Sequence, residues 1–321
     1  MNDAREDGGQ ENRDRYLFPD RAAAGAQFVS ETGNCPYFPE SCDLCQRPGV
    51  FYAHAGRYRV LRCRRCGLLW TDPLAYQDTP RDTSDRVAQI YLAHAEAQAK
   101  RFRHQLDLTI SKAGWSDTDR LRVLEVGTGL GFFLDVCEER GIAAEGCDID
   151  ARRVEYANRR RQRVRLGTLD ASYDAAAFDA VFAFNLIEHL AHPRDFLSQA
   201  RRVLKPGGVL ALETPIQESL FHALARVAYL ASGGRVFLLA VNPGGHNHKF
   251  SRRTFKTICD DMGFAIAYQR NVASPWGEIW GKSFMMPRGR RLIYRLALPI
   301  AWVVARLAGG GNRLFILLRK R

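Results

Sequence analysis

Nothing in this 321-residue chain runs apolar and uncharged for the roughly 20 residues that a membrane-spanning helix needs. The first 30 residues also lack the apolar core of a secretory signal peptide, so the expected compartment is the cytoplasm, with at most peripheral contact on the inner face of a membrane. Eight cysteines, four of them in two CxxC units, do not make the framework of a disulfide-stapled secreted domain. Acid is missing from Arg288 to Arg321, where nine basic residues surround the apolar stretch Leu296–Val304. That stretch is too short to cross a bilayer, but it can rest on an anionic membrane surface or pack on a sheet. What is present is ordinary for a globular protein, 46% hydrophobic and 26% charged, with a net charge of +12. Residues 1 to 40 hold eight acids against four bases, which leaves +16 on the rest and an acidic tail expected to be disordered.

The most informative segment is Leu121-Arg-Val-Leu-Glu-Val-Gly-Thr-Gly-Leu-Gly131. Leu121, Val123, Leu124 and Val126 form an apolar run of strand length, three glycines allow a tight turn, and a helical pattern starts at Phe132. Seventeen residues after Gly131, Asp148 ends a second short strand, where a carboxylate can accept both hydroxyls of a ribose. A dinucleotide loop shares this outline. Two features favour S-adenosylmethionine: the glycines run G-x-G-x-G, and Glu125 at the strand end would repel a pyrophosphate but suits a cationic methionine end.

Further along come Phe178-Asp179, Glu188-His189 with Pro193, Arg202 to Gly208, Glu213-Thr-Pro215, His246 with Phe250-Ser251, and Gly263-Phe264. With this succession the chain resembles the class I S-adenosylmethionine-dependent methyltransferases over residues 113 to 321, and within them the subgroup related to ubiquinone-biosynthesis and polysaccharide-cluster methyltransferases. The resemblance implies an α/β, Rossmann-like, doubly wound seven-stranded sheet with its seventh strand antiparallel. Strands are expected near 121–126, 143–148, 163–167, 178–184, 207–213, 264–270 and 312–319.

Cys42-Asp-Leu-Cys45 and Cys63-Arg-Arg-Cys66 have the spacing of a four-cysteine zinc ribbon, with Val50–Tyr52 and Tyr58–Arg62 able to pair as a hairpin. Arg62, Arg64 and Arg65 would help hold the thiolates, and a closed ligand set makes the Zn2+ structural. A redox role for the CxxC pairs is the other reading. Cys66-Gly-Leu68 resembles the end of an N-terminal cysteine module in bacterial sugar and polysaccharide methyltransferases, which implies a module on the substrate side. The expected organisation is a tail over 1–38, a zinc-ribbon-like module over 39–73, a helical cap over 74–112 and a methyltransferase domain over 113–321 with apolar insertions at 216–245 and 288–310. Residues 84 to 113 read as one helix, with Val87, Ile90, Tyr91, His94, Ala97, Phe102, Leu106 and Ile110 on its apolar stripe, capping the cofactor cleft. His94 and His104 on it read as packed or solvated.

By resemblance, Glu125 holds the methionine end, Gly127 and Gly129 lie beneath the cofactor, Asp148 holds the ribose, Ile149 and Leu169 sandwich the adenine, Asp170 approaches its amino group and Asn185 faces the methyl end. Asp148 can alternatively cap the next helix, and Ile149 can be core. Methyl transfer from a sulfonium needs alignment more than activation, and a base only if the acceptor must lose a proton. His246 and His248 are the candidate bases, followed by His189, and a loop-holding role weighs evenly against catalysis for each loop histidine. Glu188-His189 resembles part of a divalent-metal motif of ubiquinone methyltransferases, but Asn185 stands where that motif has a carboxylate, which argues against a catalytic metal. The implied acceptor is a small or lipid-linked molecule such as a sugar, polysaccharide precursor, polyprenyl intermediate or secondary metabolite, methylated at oxygen or carbon. An RNA methyltransferase is the alternative, on the pI of 9.5, the ribbon and the run Arg159–Arg163, although interleaved aromatics for base stacking are missing. A non-catalytic zinc-ribbon binding protein is the third reading.

Overall fold

The computed structural model describes residues 41–55, 58–72, 89, 91–160, 163–234, 246–273, 299, 303 and 311–321. The acidic tail, positions 84–88 of the expected helix and most of the basic apolar stretch 288–310 lie outside these residues. The cysteine segment opens with β1 (Gly49–Ala55) and β2 (Tyr58–Cys63), the hairpin expected from the sequence, and continues into β3 (Leu69–Asp72). All three join antiparallel, and β2 buries Tyr58, Val60, Leu61 and Cys63 while Arg59 and Arg62 stay exposed.

Helix α1 (Ala95–Ala113) ends on Gly114 in the left-handed conformation. Its buried face carries Gln98, Phe102, Gln105, Leu106 and Thr109. The helical period expected from the sequence is present, but Ala97 is exposed and two glutamines and a threonine are buried. Phe102 meets Phe133 and Phe184 at ring distances of 5.7 and 4.8 Å, which seats the helix near the carboxyl end of the central sheet.

Then follow β4 (Arg122–Val126), α2 (Phe132–Glu139), β5 (Ala143–Asp148), α3 (Ala151–Arg159), β6 (Val164–Leu166), β7 (Phe178–Phe184), α4 (Pro193–Val203) and β8 (Leu204–Pro215). Strands buried on both faces need continuous apolar runs, and Val123, Leu124, Ala180 to Ala183 and Val209 to Leu212 supply them. After β8 come α5 (Leu220–Ala231), β9 (His248–Lys249), α6 (Arg252–Met262), β10 (Phe264–Val272) and β11 (Arg313–Lys320).

The large sheet runs β10-β11-β8-β7-β4-β5-β6. Strands β4, β5, β6, β7 and β8 are mutually parallel, and β11 lies antiparallel between β8 and β10. This is the doubly wound α/β sheet with one reversed strand that the sequence implied. Its order reverses beside β4, so the crevice at the carboxyl ends of β4, β5 and β7 is where a ligand binds in such sheets.

The cysteine segment is not a separate bead. Its sheet runs β1-β2-β3-β9, so the last strand comes from nearly two hundred residues further along the chain, with Leu69 opposite Lys249 and Trp70 opposite His248. Asp43 accepts from the Arg194 backbone N–H at 2.7 Å, and so supplies the first turn of α4 with a cap that His192 does not provide. Arg65 grips Asp261 on α6 through both guanidinium nitrogens, and Thr254 Oγ1 donates to the Cys66 carbonyl at 3.0 Å. On α5, the Tyr229 hydroxyl accepts from the His54 N–H, and Arg226 lies 4.0 Å over the Tyr52 ring. The other side of α5 leaves Leu224, Val227 and Leu230 exposed, so only part of this apolar segment covers protein among the described residues.

Candidate functional site

Between β4 and α2 the chain turns through Gly127, Gly129 and Gly131, all at positive φ. A Cβ on Gly127 would lie 3.0 Å from the Leu186 side chain, whereas one on Gly129 would meet nothing within 4 Å. The backbone therefore presents an open shelf at Gly129 that a ligand can approach closely. Gly129 N–H donates to Asp148 Oδ2 at 2.8 Å, and Asp150 N–H donates to Oδ1 at 2.9 Å. The end of β5 is thus tied to the glycine turn. Capping of α3 falls to Asp150, which accepts from Arg152 N–H, so Asp148 does not serve as that helix's cap. Arg160 buttresses the same turn by donating to the Leu130 carbonyl at 3.1 Å and pairing with Asp135.

Glu125 is buried, and its Oε2 has no hydrogen-bond partner among the described residues. Burial first, and the nearby Asp148 carboxylate second, push its pKa well above the ordinary value, while Arg101 pulls the other way. Ile149, immediately after Asp148, is 56% exposed despite its size, so it is not core. Leu169 is buried, and the exposed Asp170 is held below the usual carboxylate range by Ser172, whose Oγ and N–H both donate to it. Asn185 follows β7 at φ 51°, a left-handed conformation that a short amide side chain tolerates, and its N–H donates to the Glu213 carbonyl at 2.7 Å.

Helix α1 contributes residues that the sequence reading passed over. Arg101 donates to Glu213 Oε1 at 2.7 Å, Gln105 donates to Oε2, and Arg313 reaches Oε1 at 3.1 Å. Gln98 Oε1, Gln105 Oε1 and Arg101 Nε are buried with no hydrogen-bond partner among the described residues. A signal was available: polar residues at 98, 101 and 105 recur at helical spacing around Phe102 and Leu106, on a face that must turn inward.

The three candidate histidines separate. His189 and His246 come together, their rings edge to face at 4.7 Å, with Glu188 beside them. The chain is strapped there by Asn247 N–H and His248 N–H, which both donate to the Glu188 carbonyl, and by Asn247 Nδ2, which donates to the His189 carbonyl at 2.9 Å. His248 instead sits in β9 opposite Trp70, buried, and this burial pushes its pKa down to about 3. It is part of the seam between the two sheets and does not join the His189–His246 group.

Cys42, Cys45, Cys63 and Cys66 bring their sulfurs within 4.8 Å of one another, Cys42 and Cys66 at 3.6 Å. Two knuckle turns hold them, with Gln46 N–H donating to the Cys42 carbonyl and Gly67 N–H to the Cys63 carbonyl. Burial and the neighbouring Cys66 and Cys63 push the Cys45 thiol up to about 12, so four sulfurs this close need a cation before they can ionise together.

Residues 91–269 match the family model described as "Methyltransferase domain". A ubiquinone biosynthesis O-methyltransferase from Caulobacter vibrioides is 28% identical over 137 residues, 40% of this chain and 52% of that protein. Another from Paracidovorax citrulli is 25% identical over 166 residues, 47% and 66% of the two chains. The chain thus spans between about half and two-thirds of the length of these relatives. Among solved structures, a geranyl diphosphate C-methyltransferase from Streptomyces coelicolor A3(2) superposes with a TM-score of 0.47 and 16% identity, covering 70% of this chain and 77% of that one.

Proposed function

The chain belongs to the methyltransferase-domain family, and from that premise we propose that it transfers a methyl group from S-adenosylmethionine to oxygen or carbon of a small or lipid-linked acceptor. The observation that carries this reading is the shelf at Gly129 with Asp148 tied to it and the uncompensated Glu125 carboxylate behind it. A nucleoside lying on the shelf places its ribose hydroxyls by Asp148, its base by the exposed Ile149 and by Leu169 and Asp170, and its cationic methionine end by Glu125. Arg101, near Glu125 and bonded to Glu213, is placed to meet the methionine carboxylate. Asn185 borders the methyl end.

The sulfonium carries the activation, so the chain's work is to hold donor and acceptor in line and exclude water. In the absence of a bound cation at their shared cluster with Glu188, His246 and His189 are the groups in position to take a proton from an acceptor hydroxyl. His248, neutral and buried, holds the loop that carries His246. The four cysteines fit a structural zinc ion, which would lock the module that borders α5 and the His246 loop.

Two arginines that could favour an RNA acceptor are engaged elsewhere: Arg65 with Asp261 and Arg160 with the glycine turn. Among the described residues, no helix is long and apolar enough to cross a membrane. The test is to incubate the purified chain with methyl-labelled S-adenosylmethionine and fractionated cell extract. Label in glycan or organic-extractable material supports the proposal, label lost to ribonuclease transfers it to RNA, and no cofactor binding by calorimetry overturns it.

A further inference from the structure

Glu188, His189 and His246 form a second group of metal-ligating side chains, separate from the cysteines, with one ligand atom from each within 4.8 Å of the others. Glu188 is fully buried, one of its carboxylate oxygens belongs to this group, its Oε2 accepts from Thr214 Oγ1 at 2.9 Å, and its Oε1 has no hydrogen-bond partner among the described residues. The motif that Glu188-His189 resembles has a carboxylate three residues earlier. Here that position is Asn185, whose backbone is committed to Glu213, and the third donor is an imidazole brought in from a distant loop.

This substitution changes the donor set from mostly oxygen to one oxygen and two nitrogens. Magnesium demands near-octahedral oxygen ligation and sheds water reluctantly. Two imidazoles and one carboxylate suit Zn2+, Fe2+, Co2+ or Ni2+, and leave further positions open. We propose that Glu188, His189 and His246 bind a divalent transition-metal ion in preference to Mg2+, with an open position facing the acceptor. The consequence for substrate, that the acceptor presents an oxygen to this ion, rests on the methyl-transfer reading; the metal site itself does not. The rival is a purely structural carboxylate balanced by Arg313 and Lys249, both of which act on Glu188 electrostatically.

The experiment uses the full chain with its cysteine site already filled by zinc. Equilibrium dialysis against Co2+, with excess Mg2+ present, should give one further metal per chain, and its absorption should lack a thiolate charge-transfer band. His246→Ala should weaken that second site at least about tenfold. Glu188→Gln should do the same, and if that variant fails to fold, His246→Ala decides. A chain that takes up no second ion, binds it equally without His246, or releases it to Mg2+ overturns the proposal and leaves the structural carboxylate. Calorimetry with S-adenosylmethionine on the same samples separates the two readings, since metal uptake without cofactor binding would sink the methyl-transfer reading alone.

Discussion

Replacing Glu125 by Gln keeps the shape of a buried side chain and removes its charge, and the effects on the free and the liganded protein should have opposite signs. In the free protein the carboxylate is buried, has an orphan oxygen and lies near Asp148. A buried polar atom left unpaired costs about 1–3 kcal/mol, more when charged. Gln still leaves a polar atom there but carries no charge, so Glu125→Gln should stabilise the free protein relative to its ionised form by about 1–2 kcal/mol, raising its melting temperature by about 2–4 °C. With the cofactor bound, the same change removes the anion facing a cationic group, a charge-assisted contact worth about 1.5–3 kcal/mol, so the Kd should rise about 10- to 100-fold. The pH dependence gives a further check. Because burial raises the folded pKa above the ordinary 4.5, the folded state binds more protons than the unfolded state above that value, and stability falls as pH rises toward the folded pKa. That slope should vanish in the variant. Thermal melts across pH, with calorimetry against S-adenosylmethionine, measure both effects. A lower melting temperature with unchanged cofactor affinity would refute the assignment and make Glu125 a structural acceptor.

Cys63→Ser should release about one zinc per chain and destabilise the whole molecule by more than about 5 kcal/mol in one cooperative transition; an early, separate melt of the module would contradict its integration into the fold. Asp43→Ala should cost about 1 kcal/mol by uncapping α4, with faster amide exchange over its first turn as the local readout. Burial, aided by Lys249 and Arg226, pushes His222 down to about 4, so its contribution is complete above the ordinary 6.5 and is lost as pH falls from 6.5 toward 4. Up to about 3 kcal/mol should go over that range in melts at stepped pH, and His222→Phe should flatten the dependence.

The central sheet was legible because buried parallel strands are continuous apolar runs and each is closed by glycine or acid punctuation. The expected 143–148 and 178–184 coincide with β5 and β7, while β8 starts three residues early, at Leu204, because the Lys-Pro-Gly-Gly turn is itself drawn into the ladder with a register shift at β7. The face of α1 was misjudged at Ala97 and Gln98, since hydropathy ranks the small side chain inside and the amide outside. Contacts between distant segments were out of reach. Nothing in His248-Lys249 announces a two-residue strand that closes the cysteine sheet, and the pairing of His246 with Glu188 and His189 depends on backbone bonds across about sixty residues. A single residue, Asn247, separates His246 from His248, yet one stands against His189 and the other in the ladder, a difference that chain-local patterns do not encode.

The pairing of β3 with β9 also dictates how this protein can be cut. A boundary after Asp72 looks natural on paper, but expressing only the part beyond it would strip Asp43 from α4, the Cys66 carbonyl from Thr254 and the partner strand from His248-Lys249. The reciprocal fragment would carry Leu69 and Trp70, both buried in the whole, on an unpaired sheet edge that invites association with other copies. A chimera that exchanges the cysteine module with that of another protein would need to carry 246–251 along with it, making the transferable unit two pieces of chain, not one.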